Sequence, residues 1–314
     1  GQRIPSLGFD FHLHAVACDE ESAQRHNLEP FWDHYWKNGE ADKLGWRLDY
    51  NMKHRGDVYA THGLGPVAQA LDIHRGDRMK TLVAMDTKSV AGKALVEERT
   101  GAGCDNFRNG DHTTTLIRTE NGKVIEIQHN VMTPQPYNRL YQLTGTKGFA
   151  NKYPVEGYAL DAKQLTASGM EPKVDDLSSH SFLPKDEMNA LVEKYQHPIL
   201  KKYGEMAKEV GGHGGMDFIM DSRLVYCLQN GLPLDMDVYD LAEWCCLAEL
   251  GELSMDNGCA SVAFPDFTRG EWNKIKGYKH AYATPEEEAA IMEKAKAFTQ
   301  KLKEKGAEEW AEDK

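Results

Sequence analysis

The sequence predicts an α+β fold, with antiparallel strands through the middle of the chain and helices through its second half. Three observations point there. KTLVAMDTKS (80–89), HTTTLIRTENGKVIEIQHNV (112–131) and LYQLTGTKGFANKY (140–153) read as strands joined by short turns. Residues 188–210, 214–231, 238–258 and 285–310 read as helices. No GxGxxG follows a strand, and GLGPVA and GGHGG lack its spacing. Strands grouped apart from helices mean α+β rather than a doubly wound sheet. The chain is therefore expected to carry no dinucleotide fold of its own.

Taken in order, residues 1–45 are hard to read. FDFHLHAV (9–16) alternates like a strand, and the polar stretch after it, anchored by Phe31, Trp32, Tyr35 and Trp36, reads as a long loop with one helical turn. From Thr61, apolar Leu64, Val67, Ala68 and Leu71 recur at helical spacing, and Arg75-Gly76 ends the run. Residues 91–111 read as a glycine-rich loop. Within 112–131 the Asn121-Gly122 pair is a strong hairpin signal. The helix over 188–210 breaks near Pro198, and that over 214–231 closes on Asn230-Gly231. The last helix, 285–310, opens on Pro285 with acids in its first turn.

Bulk properties exclude several classes. The 314 residues suffice for one large domain or two small ones, and 40% hydrophobic content supports a real core. A net charge of −12 argues against nucleic acid or an anionic membrane as partner, since both favour a basic face. No apolar run approaches the roughly 20 residues of a membrane span. The opening GQRIPSLGFDF lacks a charged-then-apolar signal pattern. The six cysteines include no CxxC, so free, mostly buried thiols are expected rather than a disulfide frame or zinc knot. That weighs towards a reducing compartment without deciding it.

Several groupings carry chemistry. In DVYATHGLGPVAQALDIHRGDRM (57–79), Thr61 is a plausible cap, and His62 at the positive end of a helix is disfavoured as imidazolium and available as a base. Gly63 and Gly65 would admit a ligand closely, with Pro66 in the first turn; a packed capping junction explains the same residues. Arg47 lies between Trp46 and Tyr50, suited to a carboxylate or sugar hydroxyls, or to plain stacking. His12 and His14 share a strand face, as pocket lining or structure, with no third ligand to make a metal site. Gly211–Asp217 is a pliable turn in which His213 and Asp217 could share a face. Tyr137, in PYNR, either closes a pocket or caps a sheet edge. From these residues alone the chain reads as an α+β domain with a polar pocket lined by His, Tyr and Arg.

The segments WRLDYNMKHRGDVYATHGLGPVAQALDIHRGDRM, PYNR, GTKGFA, GGHGGMDFIMD, LPLDMDVYDLAEW and VAFPDFTRGEW, in this order over residues 46–275, resemble one family closely. It is glycoside hydrolase family 109, the NAD-dependent α-N-acetylgalactosaminidases, within the Gfo/Idh/MocA oxidoreductase group. The resemblance implies an open, mainly antiparallel sheet with helices on one face. It makes residues 1–314 a substrate and dimerisation domain without the family's N-terminal NAD-binding domain. It puts sugar contacts on Arg47, on Tyr59, Ala60, Thr61 and His62, and on Tyr137; of a Tyr-x-His-Asp motif only His14 matches. The implied reaction is oxidation at C3, elimination across C1–C2, water addition and re-reduction, with His62 and Tyr59 handling protons and NAD as cofactor. The chain alone is expected to be inactive. The implied partners are an amino-sugar glycoside and other copies of the chain through the open sheet; the setting is bacterial cytoplasm or periplasm. Another sugar oxidoreductase of the group, or a non-catalytic assembly domain, are the alternatives.

Overall fold

The computed structural model describes residues 14–18; 46–274 apart from 102, 131, 134–137 and 175–176; and 276, 293, 297, 300, 301 and 304. Most of the readings for 1–45 and 285–310 lie outside the described residues. The described residues form two compact units, one within 3–191 and 239–275, the other within 192–238 and 276–314.

The first unit is built on one sheet. Its strands among the described residues are β1 (His14–Cys18), β2 (Met79–Asp86), β3 (Thr113–Thr119), β4 (Val124–His129), β5 (Leu140–Thr144), β6 (Phe149–Asn151), β7 (Gly157–Ala159) and β8 (Val262–Ala263). Their order is β7-β6-β5-β1-β4-β3-β2-β8. All neighbours are antiparallel except β1 and β4, where His14 faces Val124 in a parallel pair. The predicted hairpin is β3–β4, turning at Gly122 with φ 82, a left-handed value suited to glycine.

The continuous α-helices among the described residues are α1 (Trp46–Lys53), α2 (Thr61–Ala70), α3 (Ala91–Thr100), α4 (Ala162–Ala167), α5 (Lys185–Tyr195), α6 (Pro198–Val210), α7 (Met216–Asn230) and α8 (Val238–Asp256). Leu64, Val67 and Ala68 of α2 and Trp244, Leu247 and Met255 of α8 share a buried cluster with Leu82, Ala84, Ile117, Ile125 and Ile127 of the sheet. The alternation of β3 is visible in its burial: Thr115, Ile117 and Thr119 face these helices, while Leu116 and Arg118 face away and are exposed. The fold is α+β, an open sheet with helices on one face.

Two readings need correction. Residues 91–111 are not all loop, because 91–100 form α3. Asp111 accepts from the amides of Val90, Ala91 and Gly92 at 3.0, 2.9 and 3.1 Å, which caps the helix from twenty residues away. Leu95 and Val96 pack with Phe107 and Met132, and Gly101 ends the helix at φ 68. The run from Thr61 stops at Ala70, and 71–78 form a buried irregular turn in which Asp72 and His74 take left-handed φ of 58 and 62.

In the second unit α6 and α7 are joined through Gly211–Gly215. Pro198 opens α6 after the predicted break, and Gly231 ends α7 in left-handed conformation at φ 62. Gly215 is at φ 97, and a Cβ there would lie 2.6 Å from the Ala207 carbonyl oxygen, so the turn needs glycine.

Candidate functional site

The junction of α1 and α2 is pinned from behind by buried polar pairs. Asn51 of α1 accepts from the Asn109 amide at 2.6 Å, and the Asn109 Oδ1 accepts from Gly56 N at 2.9 Å. Gly56 takes φ 96 in that turn. Next comes Asp57, buried, whose Oδ1 accepts from Tyr59 N at 3.1 Å and lies 3.5 Å from Nδ1 of the buried His129 at the end of β4. The neighbouring His112 imidazole is pushed down by its own burial first and by the charge of His129 second.

On this support stands the central pair. The Tyr59 and His62 rings stack with centroids 4.6 Å apart and planes 20° from parallel. A phenol and an imidazole stacked at a helix start give two proton-handling groups side by side. Pro66 lies four residues after His62 and has no N–H, so it cannot donate to the His62 carbonyl as the helix ladder would require. The Tyr141 hydroxyl takes that place, donating to the His62 carbonyl oxygen at 2.6 Å. Arg139 Nη1 approaches the same hydroxyl at 3.4 Å.

The predicted residues divide as follows. Tyr59, Ala60, Thr61 and His62 form one continuous turn, with Ala60 buried beneath it. Arg47 lies in the first turn of α1 and His14 begins β1, but their side chains lie outside the described residues, as does Tyr137. Tyr50, expected to flank Arg47, stacks on His54 at 4.2 Å, and burial followed by nearby Glu249 and Glu252 pushes its phenol up.

Three expectations fail locally. Thr61 is not the cap, since Ala60 holds that position with no side-chain bond. Gly63 and Gly65 are buried rather than open to a ligand, and a Cβ at Gly65 would meet the Trp244 ring at 3.3 Å. The glycine admits the indole of α8. Pro66 sits in the second turn of α2, not the first. Asp57, His129 and Tyr141 were not singled out in the sequence. Their signal is tertiary, although Asp57, two residues before Tyr59, matches an Asx-turn pattern.

Elsewhere, His213 and Asp217 do pair, at 2.8 Å on the surface of the second unit. Among the described residues free thiols are found at Cys104, Cys227, Cys245, Cys246 and Cys259, and of these only Cys104 and Cys227 are buried, so burial was overstated. No helix among the described residues is long and apolar enough to cross a membrane.

Two strand-to-helix turns among the described residues are closed to a dinucleotide's pyrophosphate. A pyrophosphate seat needs open amides at a strand-to-helix turn. At β2–α3 those amides are filled by the Asp111 carboxylate, and at β7–α4 Asp161 caps Gln164 N at 2.8 Å.

An open, mainly antiparallel sheet, helices on one face and a phenol–imidazole stack at a helix start define an α+β domain with a polar candidate site. The chain belongs to the glycosyl hydrolase 109 C-terminal domain family, which residues 26–274 match. It is 86% identical over 293 residues to glycosyl hydrolase family 109 protein 5 of Phocaeicola vulgatus, covering 93% of this chain and 56% of that protein. It is 62% identical over 263 residues to a glycosyl hydrolase family 109 protein of Porphyromonas gingivalis, covering 84% of this chain and 54% of that protein. The chain thus spans about half the length of the curated relatives it matches. Among solved structures it is distantly similar to an oxidoreductase domain protein from Kribbella flavida (TM-score 0.49, 13% identity, 84% of this chain and 64% of that one). The same holds for an inositol dehydrogenase homolog complexed with NAD+ from Azotobacter vinelandii (TM-score 0.40, 14% identity, 83% and 62%).

Proposed function

We propose that this chain is the substrate-binding portion of an NAD-dependent glycosidase of the Gfo/Idh/MocA type acting on α-N-acetylgalactosaminides. Family membership supports the activity class. The observation that carries the site is the Tyr59–His62 stack on the turn that bears the family's Tyr-x-Thr-His motif. NAD, when bound, would supply the redox chemistry at C3; the β2–α3 and β7–α4 turns are filled by Asp111 and Asp161, and this reading takes the chain alone to be inactive.

The chain's own share is protons and geometry. His62 takes the proton from C2 of the sugar, next to a carbonyl, as the glycosidic oxygen leaves C1. The Tyr59 phenol, stacked on that imidazole, donates a hydrogen bond to the oxygen on C3 and completes the pair. Arg47, Tyr137 and His14 hold hydroxyls in register, because a reacting centre misplaced by an ångström loses most of its rate. Water then adds at C1, the proton returns to C2 from His62, and C3 is restored by the reduced cofactor, so that the net reaction is hydrolysis.

The test is turnover of an aryl α-N-acetylgalactosaminide by the full-length protein with NAD+. His62→Ala is expected to lose about 10²- to 10⁴-fold in rate with an unchanged circular dichroism spectrum. Retained turnover would exclude His62 as the base. Self-association through the uncovered face of the sheet belongs to the same proposal, supported by exposed Met85 and Leu116 on that face.

A further inference from the structure

We infer that Tyr141 is a positioning residue for His62, acting on its main chain through the carbonyl to which Pro66 has no N–H to donate. The inference rests on the reading of His62 as proton acceptor. A proline inside a helix removes one ladder bond and crowds the carbonyl four residues back. In α2 that carbonyl belongs to His62, and the Tyr141 hydroxyl meets it at 2.6 Å.

The sheet is distorted to bring this hydroxyl there. Leu140 and Tyr141 both hold left-handed backbone, at φ 55 and 52. At the same point the β1–β5 register shifts, so that Val16 faces Gln142 while Ala17 faces Leu140. Tyr141 is the extra residue of that bulge. Its ring packs against the main core cluster, and Asn138 Oδ1 secures the bulge by accepting from Leu140 N at 2.7 Å. Bulges re-aim side chains beside sites, and left-handed backbone at two successive non-glycine residues persists only where its surroundings over-determine it.

A compensating pair of substitutions tests this. Pro66→Ala restores an N–H able to bond the His62 carbonyl within the helix. In this chain, isotope-labelled at histidine, the His62 ring protons should show the upfield shift of an imidazole stacked on Tyr59. Tyr141→Phe is expected to reduce that shift by more than half, and Pro66→Ala in the Tyr141→Phe background to recover it. In the full-length protein, Tyr141→Phe should lower kcat by about tenfold with KM changed less than about twofold, and the double variant should regain most of the rate. A His62 resonance in Tyr141→Phe that keeps the full wild-type upfield shift overturns the inference, and so does a loss that Pro66→Ala fails to repair. Should Tyr141→Phe not fold, Tyr141→Phe with Pro66→Ala decides alone: a wild-type shift supports the inference, and a lost one overturns it. If the full-length protein shows no glycosidase turnover, the proposed function fails, while the resonance of this chain still decides the role of Tyr141.

Discussion

His74 Nε2 lies 2.6 Å from Glu243 Oε2, joining the turn after α2 to the first half of α8 with both side chains buried. His74 Nδ1 also lies 3.5 Å from Asp240 Oδ1. Burial alone would push this imidazole down, but the bonds to Asp240 and Glu243 together outweigh it and hold His74 up at about 9. Burial pushes the Glu243 carboxyl up as well, against the pull of His74. We assign the shared proton to His74, because two carboxylates face it and Glu243 Oε1 already accepts from Met79 N at 3.2 Å. A histidine raised on folding contributes stability that is full below 6.5 and lost as pH rises through about 9. Thermal unfolding should therefore weaken across that window by on the order of 2 kcal/mol, and His74→Gln should flatten the slope. An identical pH profile in the variant would refute the assignment.

Arg75 holds Asp240 through two bonds, 2.7 Å from Nη1 to Oδ1 and 2.8 Å from Nη2 to Oδ2, all buried. Arg75→Ala removes two bonds from a buried carboxylate and should cost about 3–5 kcal/mol in urea unfolding. Arg75→Met with Asp240→Leu, which removes both charges, should cost far less. Equal losses in the two variants would mean that charge is not what holds this contact.

Asp57 and His129 stand behind Tyr59 with 3.5 Å between Oδ1 and Nδ1. His129→Leu leaves the carboxylate buried without this partner and should cost about 1–3 kcal/mol. Because Asp57 also accepts from Tyr59 N, Asp57→Ala should cost stability and, in the full-length protein, glycosidase rate. Asp57→Asn, which keeps an oxygen acceptor for Tyr59 N, should retain more rate than Asp57→Ala. Equal rates in the two would count against the anchor.

Gly215→Ala puts a methyl against the Ala207 backbone in a left-handed turn. A loss of about 1–3 kcal/mol is expected, confined to the helical unit. Amide exchange that accelerates in α6 and α7 while β3 and β4 stay protected would bear this out; uniform acceleration would not.

Leu116 is 48% exposed on the sheet face opposite α2 and α8. Leu116→Arg should convert a self-associated species to monomer in sedimentation velocity without altering the circular dichroism spectrum. A chain that sediments as monomer before the substitution would rule out this face as an interface.

Local patterns made much of the first unit legible. The Asn121-Gly122 turn, the alternation of β3 and β4, the break at Pro198 and the end of α7 at Gly231 all depend on residues within about one helical turn or one hairpin. α3 was missed because Gly92 and Gly101 look like loop, and the cap that starts the helix is Asp111. α1 was missed as well, its short run WRLDYNMK pinned by Asn109.

What the sequence by itself determined was the α+β class, the family and the turn that carries Tyr59 and His62. Those follow from short-range spacing and from residue identity, which a linear chain displays. Only the tertiary structure decided that β1 lies between β4 and β5, that Gly65 faces Trp244, and that Asp57, His129 and Tyr141 surround the candidate pair. These contacts join residues tens to hundreds apart, and their bond geometry exists only once strands and helices have packed, so no periodicity along the chain encodes them.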